Sequence, residues 1–327
     1  MNAMESETKI SISVVIPTHK NRERTLRCLA ALWLCNPQPD EVIVIDDGSD
    51  DNTAHSVLRK YPRHIVVRLP SKQGFTAAAN HGLSRASGDL LLLLDNDTEV
   101  DPSAIGAIVN AFEANNDLGM AGAALRHPGG GHQWSGGRLP GSLWCFAFAS
   151  GLPSMMERSR FWRWLRSHFF LRKRHVDWVA GAAIAVRRSV WNEIGPFDLG
   201  YRLRGQYIDL CVSASNAGWG IEIIPEFTAV HPASGGTTAD GAANSSNEEL
   251  MWTDLLRFAD KRYGSGAVEQ SKRALRLGGK VRLMGRRLAT PLVPQDHKDE
   301  WRAETIAHTE ALRALKIGAR PDQTATR

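Results

Sequence analysis

The N-terminal third of the chain alternates between short apolar runs and segments of helical period. Residues 10–16 alternate and then run apolar and β-branched up to Pro17, the pattern of a strand. Runs at 41–45, 65–69 and 90–94 repeat it. The last is all leucine between Asp89 and Asp95, too short to cross a bilayer and apolar enough to be buried on both faces. Between these runs, 25–34 sets Leu26, Leu29, Ala30 and Trp33 on one side of a helix. The acidic turn 46–53 begins a second helix that runs through Leu58, with Asp or Ser at its N-cap, and 74–86 makes a small-residue third that Gly88 stops. Strand–helix alternation of this kind predicts an α/β fold on a doubly wound, mixed but mainly parallel sheet.

Each predicted strand delivers polar residues to one edge: Pro17-Thr18-His19, Asp46-Asp47 and Asp95-Asn96-Asp97. Open α/β sheets bind ligands outside the carboxyl ends of their strands, and paired carboxylates there hold a hard divalent cation. Asp47 suits a base N–H, Thr18 and His19 a contact with or stacking on the base, and Asp95 and Asp97 a ribose and a metal. Taken singly, Asp-Gly-Ser after a strand and an Asp-x-Asp are also turn and cap chemistry. Three exits together favour a nucleotide crevice. No GxGxxG or P-loop argues for a dinucleotide or ATP. A nucleotidyltransferase would carry a Gly-rich basic loop after the first strand, and residues 17–21 are not that.

Four blocks in this order and spacing resemble the family-2 glycosyltransferases: Val14-Val15-Ile16-Pro17-Thr18, Val44 to Asp51, Gly74-Phe75 with Asn80-x-Gly82, and Leu94 to Thr98. The resemblance implies a nucleotide-diphosphate-sugar (GT-A) fold with a Rossmann-like nucleotide-binding half. It places Asp47 on the base, Asp95 on ribose, and Asp97 on Mn²⁺ or Mg²⁺, with Pro17, Thr18, His19, Gly74 and Asn96 around the nucleotide. Further on, Val176 to Ala183, Gly195 to Asp198, Ile208 to Cys211 and Pro225 to His231 are similar to the rhamnosyltransferase-like branch. There the resemblance makes His231 a third metal ligand. It sets Trp178, Gly181 and Ala182 beside sugar or acceptor, the small residues letting backbone approach the sugar diphosphate. A lone His after a strand is otherwise usually structural.

One departure bears on mechanism. The family usually places Glu-Asp ahead of the Asp-Leu-Cys segment, its Asp the expected general base; this chain has Gln206-Tyr207. Inverting transfer to a sugar hydroxyl needs a group to take its proton. Gln cannot, and Tyr, with an unperturbed pKa near ~10, needs a special environment. Asp209 is one substitute, its alternative role being a helix cap; Asp177 or the loop 232–247 is another. An anionic acceptor or a retaining mechanism would need no base, and a nucleotide-sugar-binding protein would transfer nothing. The expected activity is metal-dependent glycosyl transfer, inverting, from a nucleotide-diphosphate-sugar to a glycan or lipid-linked acceptor in surface-polysaccharide synthesis.

Composition adds place rather than chemistry. The 327 residues are 43% hydrophobic with net charge +5 and four scattered cysteines without zinc spacing, which reads as reduced, packed thiols. Met1 to Lys9 lacks an apolar signal core, so a cytoplasmic location is expected. Residues 8–235 read as the catalytic domain (10–102 nucleotide-sugar-binding half, 103–235 acceptor half), 236–247 as a flexible loop or lid, and 248–327 as a basic helical extension. Within the acceptor half, 127–142 reads as a loop-dominated excursion where Trp134 and Arg138 contact acceptor or simply pack. Arg158 to Arg174 interleaves cations with aromatic residues, which suits either an anionic membrane interface or a solvated amphipathic helix. Residues 272–288 read as a basic amphipathic helix with Leu277, Val281, Met284 and Leu288 on one stripe and Arg276, Lys280 and Arg287 on another, although Gly278, Gly279 and Gly285 weaken its helix propensity. Another helix is expected over 299–315 and disorder beyond. Peripheral contact at the cytoplasmic face of the inner membrane fits these pieces, whereas nucleic-acid binding lacks a motif.

Overall fold

The computed structural model describes residues 10–152, 174–232, 245–295 and 298–317. The basic-aromatic segment 158–173, the core of the expected lid and the final residues lie outside them. In chain order the elements are β1 (Ile12–Thr18), α1 (Arg22–Trp33), β2 (Glu41–Asp46), α2 (Thr53–Lys60), β3 (Ile65–Arg68), α3 (Phe75–Leu83), β4 (Leu90–Leu94) and β5 (Glu99–Val100). Then come α4 (Ala104–Ala114), β6 (Leu118–Arg126), β7 (Gly136–Gly137), α5 (Ser142–Ser150), β8 (Arg174–His175), β9 (Trp178–Val179), β10 (Ala183–Arg187) and α6 (Arg188–Ile194). The chain continues through α7 (Gly205–Asn216), β11 (Gly220–Val230), α8 (Ser245–Tyr263), α9 (Ser265–Ala289) and α10 (Lys298–Ile317).

The described residues fall into two compact units. One holds those of Met1–Gly137, Arg172–Phe197 and Leu210–Pro232; the other holds those of Arg138–Leu171, Asp198–Asp209 and Ala233–Arg327. The helical extension expected from 248 onward is therefore joined by two segments from the middle of the chain.

The first unit is built on a nine-stranded sheet of order β3-β2-β1-β4-β10-β6-β11-β5, with β8 also paired to β11. β1, β2, β3 and β4 are mutually parallel, as are β6 and β11; β10 runs antiparallel between β4 and β6. All five leucines of β4 are buried, because β1 and β10 flank it and both faces are covered. At the opposite extreme β3 is an edge, and Ile65 is exposed. α3 lies close on the sheet because Gly82 has no side chain: a Cβ there would sit 2.2 Å from Val15 Cγ1. Its neighbour Asn80 donates from Nδ2 to the Phe197 carbonyl (2.9 Å) and accepts the Phe197 amide at Oδ1 (3.0 Å). The Asn80-x-Gly82 pair is thus a packing device. Residues 127–142, expected as loop, contain β7, which pairs with β9 and sets Trp134 edge-on to Trp178 at 5.4 Å.

In the second unit, Cys145, Ala149, Trp252, Leu255, Leu275, Ala311 and Leu315 share a core drawn from α5, α8, α9 and α10. α9 runs unbroken through its glycines, as the helical reading of this stretch expects. A Cβ on Gly278 would meet the Phe146 carbonyl oxygen at 2.4 Å, and one on Gly279 would meet Leu312 at 2.9 Å. Here glycine loses helix propensity but permits close helix approach. Asp254 of α8 accepts the amides of Arg202, Leu203, Arg204 and Gly205, each at 2.9 Å. Arg204 and Gly205 are donors a helix start leaves without intrahelical partners, while Arg202 and Leu203 belong to the turn before it, so Asp254 holds both the turn and the start of α7 from about fifty positions away.

Candidate functional site

The exits of β1 and β4 and the start of α1 are locked to one another by uncharged side chains. Asn96 Nδ2 donates to Thr18 Oγ1 (2.9 Å) and Thr25 Oγ1 (3.2 Å), and the two hydroxyls lie 2.8 Å apart. The amide of Asp95 donates to the Ala182 carbonyl (2.9 Å), which brings the Gly181-Ala182 backbone beside the first carboxylate. Held this way, Asp95 and Asp97 meet His231: one ligand atom from each lies within 4.8 Å of the others.

The approach of His231 follows from register. β5, two residues long and directly after the acidic exit, pairs with the end of β11, Val230 opposite Glu99. The next residue, His231, then faces Asp97, with Nε2 3.6 Å from Oδ1. Its Nδ1 lies 3.1 Å from Gln133 Oε1. An amide oxygen can only accept, so Nδ1 carries a proton, and in the neutral ring Nε2 is the atom left to offer a lone pair to a cation. This is how a metal-ligating imidazole is usually oriented. His231 is 5% exposed and its amide donates to Arg126 (2.9 Å), so the ring is fixed from both ends. Two carboxylates and an imidazole fit a first-row divalent ion such as Mn²⁺, and Mg²⁺ less closely, since imidazole is a softer donor.

Around this cluster the nucleotide candidates are placed with more mixed results. Asp47, 2% exposed, accepts the amides of Gln73 (2.6 Å) and Gly74 (2.8 Å). Its carboxylate holds the turn into α3, where Gly74 takes φ +95°. Each oxygen keeps a further lone pair. His19 Nδ1 donates to the Asp47 carbonyl (2.7 Å), fixing the ring at the crevice edge. Pro17 and Thr18 are buried in β1, in register with Ile45 and Asp46. Beside the carboxylate-imidazole cluster, Arg24 approaches Asp97 Oδ2 at 3.5 Å. It lines a cleft of about 350 Å³ with Asn21, Arg22, Glu23, Arg27 and Asp51.

The proton-acceptor candidates separate. Asp209 lies inside α7, not at its cap, and is 5% exposed. Lys261 Nζ reaches its Oδ2 (2.8 Å), and Arg262 reaches its Oδ1 (2.6 Å) and its carbonyl (2.7 Å). Both carboxylate oxygens thus already accept from cations, which suits an anchor between α7 and α8 better than a base. Tyr207 is buried in the same helix turn. Asp177 is half-buried, its amide bonded to the Gly137 carbonyl (2.8 Å), and belongs to the unit that carries the carboxylate-imidazole cluster. Trp178 and Gly181, next in the chain, are also half-buried. The four cysteines are buried and free, and burial pushes the Cys211 thiol up to about 12.

Sequence reasoning missed Gln133, Asp254, Lys261 and Arg262. Gln133 sits in a stretch that shows only glycine and loop character, and no local signal links Asp254 to residues 202–205.

The fold is thus a mixed, mainly parallel sheet with a carboxylate-imidazole cluster at its strand ends. Residues 13–195 match the family described as Glycosyl transferase family 2, and the chain belongs to that family: it is a glycosyltransferase. It is 24% identical over 251 residues to the N-acetylglucosaminyl-diphospho-decaprenol L-rhamnosyltransferase of Mycobacterium tuberculosis, covering 71% of this chain and 80% of that protein. Among solved structures, it resembles the mannosyltransferase PcManGT from Pyrobaculum calidifontis in complex with GDP-Man and Mn²⁺, with a TM-score of 0.56, 13% identity, and 95% and 87% of the two chains covered. GalNAc-T7 with UDP, GalNAc and Mn²⁺ gives 0.59 and 15% over 96% of this chain and 57% of that one. These likenesses show a shared GT-A-like fold.

Proposed function

We propose that the protein is a metal-dependent, inverting transferase that moves a sugar from a nucleotide-diphosphate-sugar to a lipid-linked glycan acceptor in surface-polysaccharide synthesis. It would work at the cytoplasmic face of a membrane. The observation that carries this is the convergence of Asp95, Asp97 and His231 at the strand ends. The acceptor class is carried by likeness to the mycobacterial enzyme, whose name specifies a diphospho-decaprenol.

In this reading Asp95, Asp97 and His231 hold Mn²⁺ or Mg²⁺, and the bound ion supplies Lewis-acid stabilisation of the departing nucleoside diphosphate. The chain's own residues do the positioning. Gln133 keeps His231 in the ligating tautomer, and Asn96 keeps the acidic exit against β1. Ala182 and Gly181 leave room for the donor sugar beside Asp95. Asp47, through the Gln73-Gly74 turn, and His19 shape the base end, and the electropositive start of α1 with Arg22 and Arg24 faces phosphate oxygens. Asp177, half-buried and in the unit of the metal cluster, takes the acceptor proton, with Tyr207 the alternative; Trp178 offers its ring to the acceptor.

A second reading has an observation of its own. Gln206-Tyr207 lacks a carboxylate and Asp209 is ion-paired, which also suits a nucleotide-sugar-binding protein without turnover. A thermal-shift panel of UDP-, GDP-, dTDP- and CMP-sugars with and without Mn²⁺ tests the shared part. One donor should raise the melting temperature only with metal. No stabilisation by any donor would remove both readings; nucleotide release on adding lipid-linked acceptor separates transfer from binding.

A further inference from the structure

Helix α9 has two apolar faces, and the second-unit core uses one of them. Its inward face buries Ser271, Leu275, Gly278, Gly279 and Arg286. Leu277, Val281, Met284 and Leu288 recur at steps of four, three and four residues, so they line up along the outward face. They are 58%, 37%, 61% and 74% exposed. Single exposed apolar residues need no explanation, whereas a continuous ridge marks an interaction surface.

The charge beside the ridge has one sign. Arg273, Lys280 and Arg287 follow at seven-residue spacing along its flank, all exposed and without an ion pair among the described residues. No acid occurs between Gln270 and Ala289. Other cations of this helix are engaged: Arg276 on the Leu315 carbonyl, Arg282 on Glu248, and Arg286 on Glu304 and the Trp301 carbonyl. The three on the flank are what remains.

A second copy packed ridge to ridge would set like-charged rows near each other, with no acid on this face to answer them. An anionic lipid surface answers both features at once. The apolar row enters the boundary between headgroups and acyl chains, and the cations stay at the phosphates. We propose that α9 docks the protein on an anionic lipid surface through Leu277, Val281, Met284 and Leu288, with Arg273, Lys280 and Arg287 on the headgroups. Docking deepens the proposed function, since a lipid-linked acceptor is met at such a surface, and it rests on that reading for its purpose but not for its test.

The test is flotation of the full chain with vesicles of phosphatidylcholine alone or with added phosphatidylglycerol. Binding is expected to the anionic vesicles only and to weaken as NaCl rises. Arg273→Gln, Lys280→Gln and Arg287→Gln combined should lower the partition coefficient about a hundredfold, at the usual worth of a cation near such a surface. Leu277→Ser, Met284→Ser and Leu288→Ser combined should abolish flotation. Both triple variants should keep the wild-type melting temperature, because the replaced groups face solvent. Absence of flotation with anionic vesicles overturns the proposal, as does binding that survives both triples, which would place the contact elsewhere in the chain. So does a ridge variant that loses self-association instead of vesicle binding. Flotation reads neither donor nor metal: a chain that binds donor with Mn²⁺ but ignores vesicles loses the docking surface alone, and one that floats without binding donor loses the transferase reading alone.

Discussion

His231 meets Asp97 because of neighbours that carry no reactive chemistry. Gln133 orients the ring, Asn96 fixes the acidic exit, and the Val230–Glu99 pairing sets the histidine opposite the carboxylates. The proton acceptor is decided at the same scale. Asp209 is held by two cations and Asp177 is not buried in α7, so the roles should part on mutation. Asp209→Asn should lower the melting temperature and leave transfer nearly intact, while Asp177→Asn should cut the transfer rate by about 10²–10⁴, the usual worth of a general base. Steady-state kinetics with donor affinity measured alongside distinguishes these. If Asp209→Asn alone loses the rate with stability and donor binding unchanged, the assignment reverses. Asp95 and Asp97 were legible from the leucine run that precedes them, since a buried strand must end where carboxylates begin. Gln133 was not legible, because its meaning depends on a strand pairing almost a hundred residues away.

Elements show the same division between local and distant causes. β1, β2 and β4 were readable because both their faces are buried, which writes an unbroken apolar run into the chain. β5 and β7, two residues each, carry no such run and exist through their partners. α9 reads locally as an amphipathic helix weakened by glycines, and those glycines are where α5 and α10 come close. α7 depends on Asp254, whose buried carboxylate accepts four amides of the helix start and the turn before it. Asp254→Ala would leave the buried Gly205 donor without a partner and free the part-buried others to water, and hydrogen bonds to a charged group contribute about 1.5–3 kcal/mol each at best. Correlated loss and partial rescue by water bring the expected destabilisation to roughly 2–4 kcal/mol. A urea denaturation series measures it, and an unchanged midpoint would show that α7 is held by other means.

At the scale of the whole molecule, chain order and compact units do not coincide. Residues 198–209 sit between two segments of the sheet-bearing unit in sequence but pack with the C-terminal helices, tied by Asp198 to Arg257 and Lys261 and by Asp209 to Lys261 and Arg262. No composition shift marks that exchange, so a division by sequence alone places it in the acceptor half. Among the described residues no helix is long and apolar enough to cross a membrane; the proposed attachment is through an exposed helix face. The central claim concerns the sheet-bearing unit alone: Asp95, Asp97 and His231 bind the divalent ion on which donor binding depends. Anomalous diffraction from crystals soaked in Mn²⁺ with a nucleotide-sugar tests it directly. The account predicts a manganese peak bounded by the three side chains and in contact with the donor diphosphate, absent in Asp97→Ala. A donor bound at the strand ends with no peak there, or a peak coordinated by other residues, would contradict it.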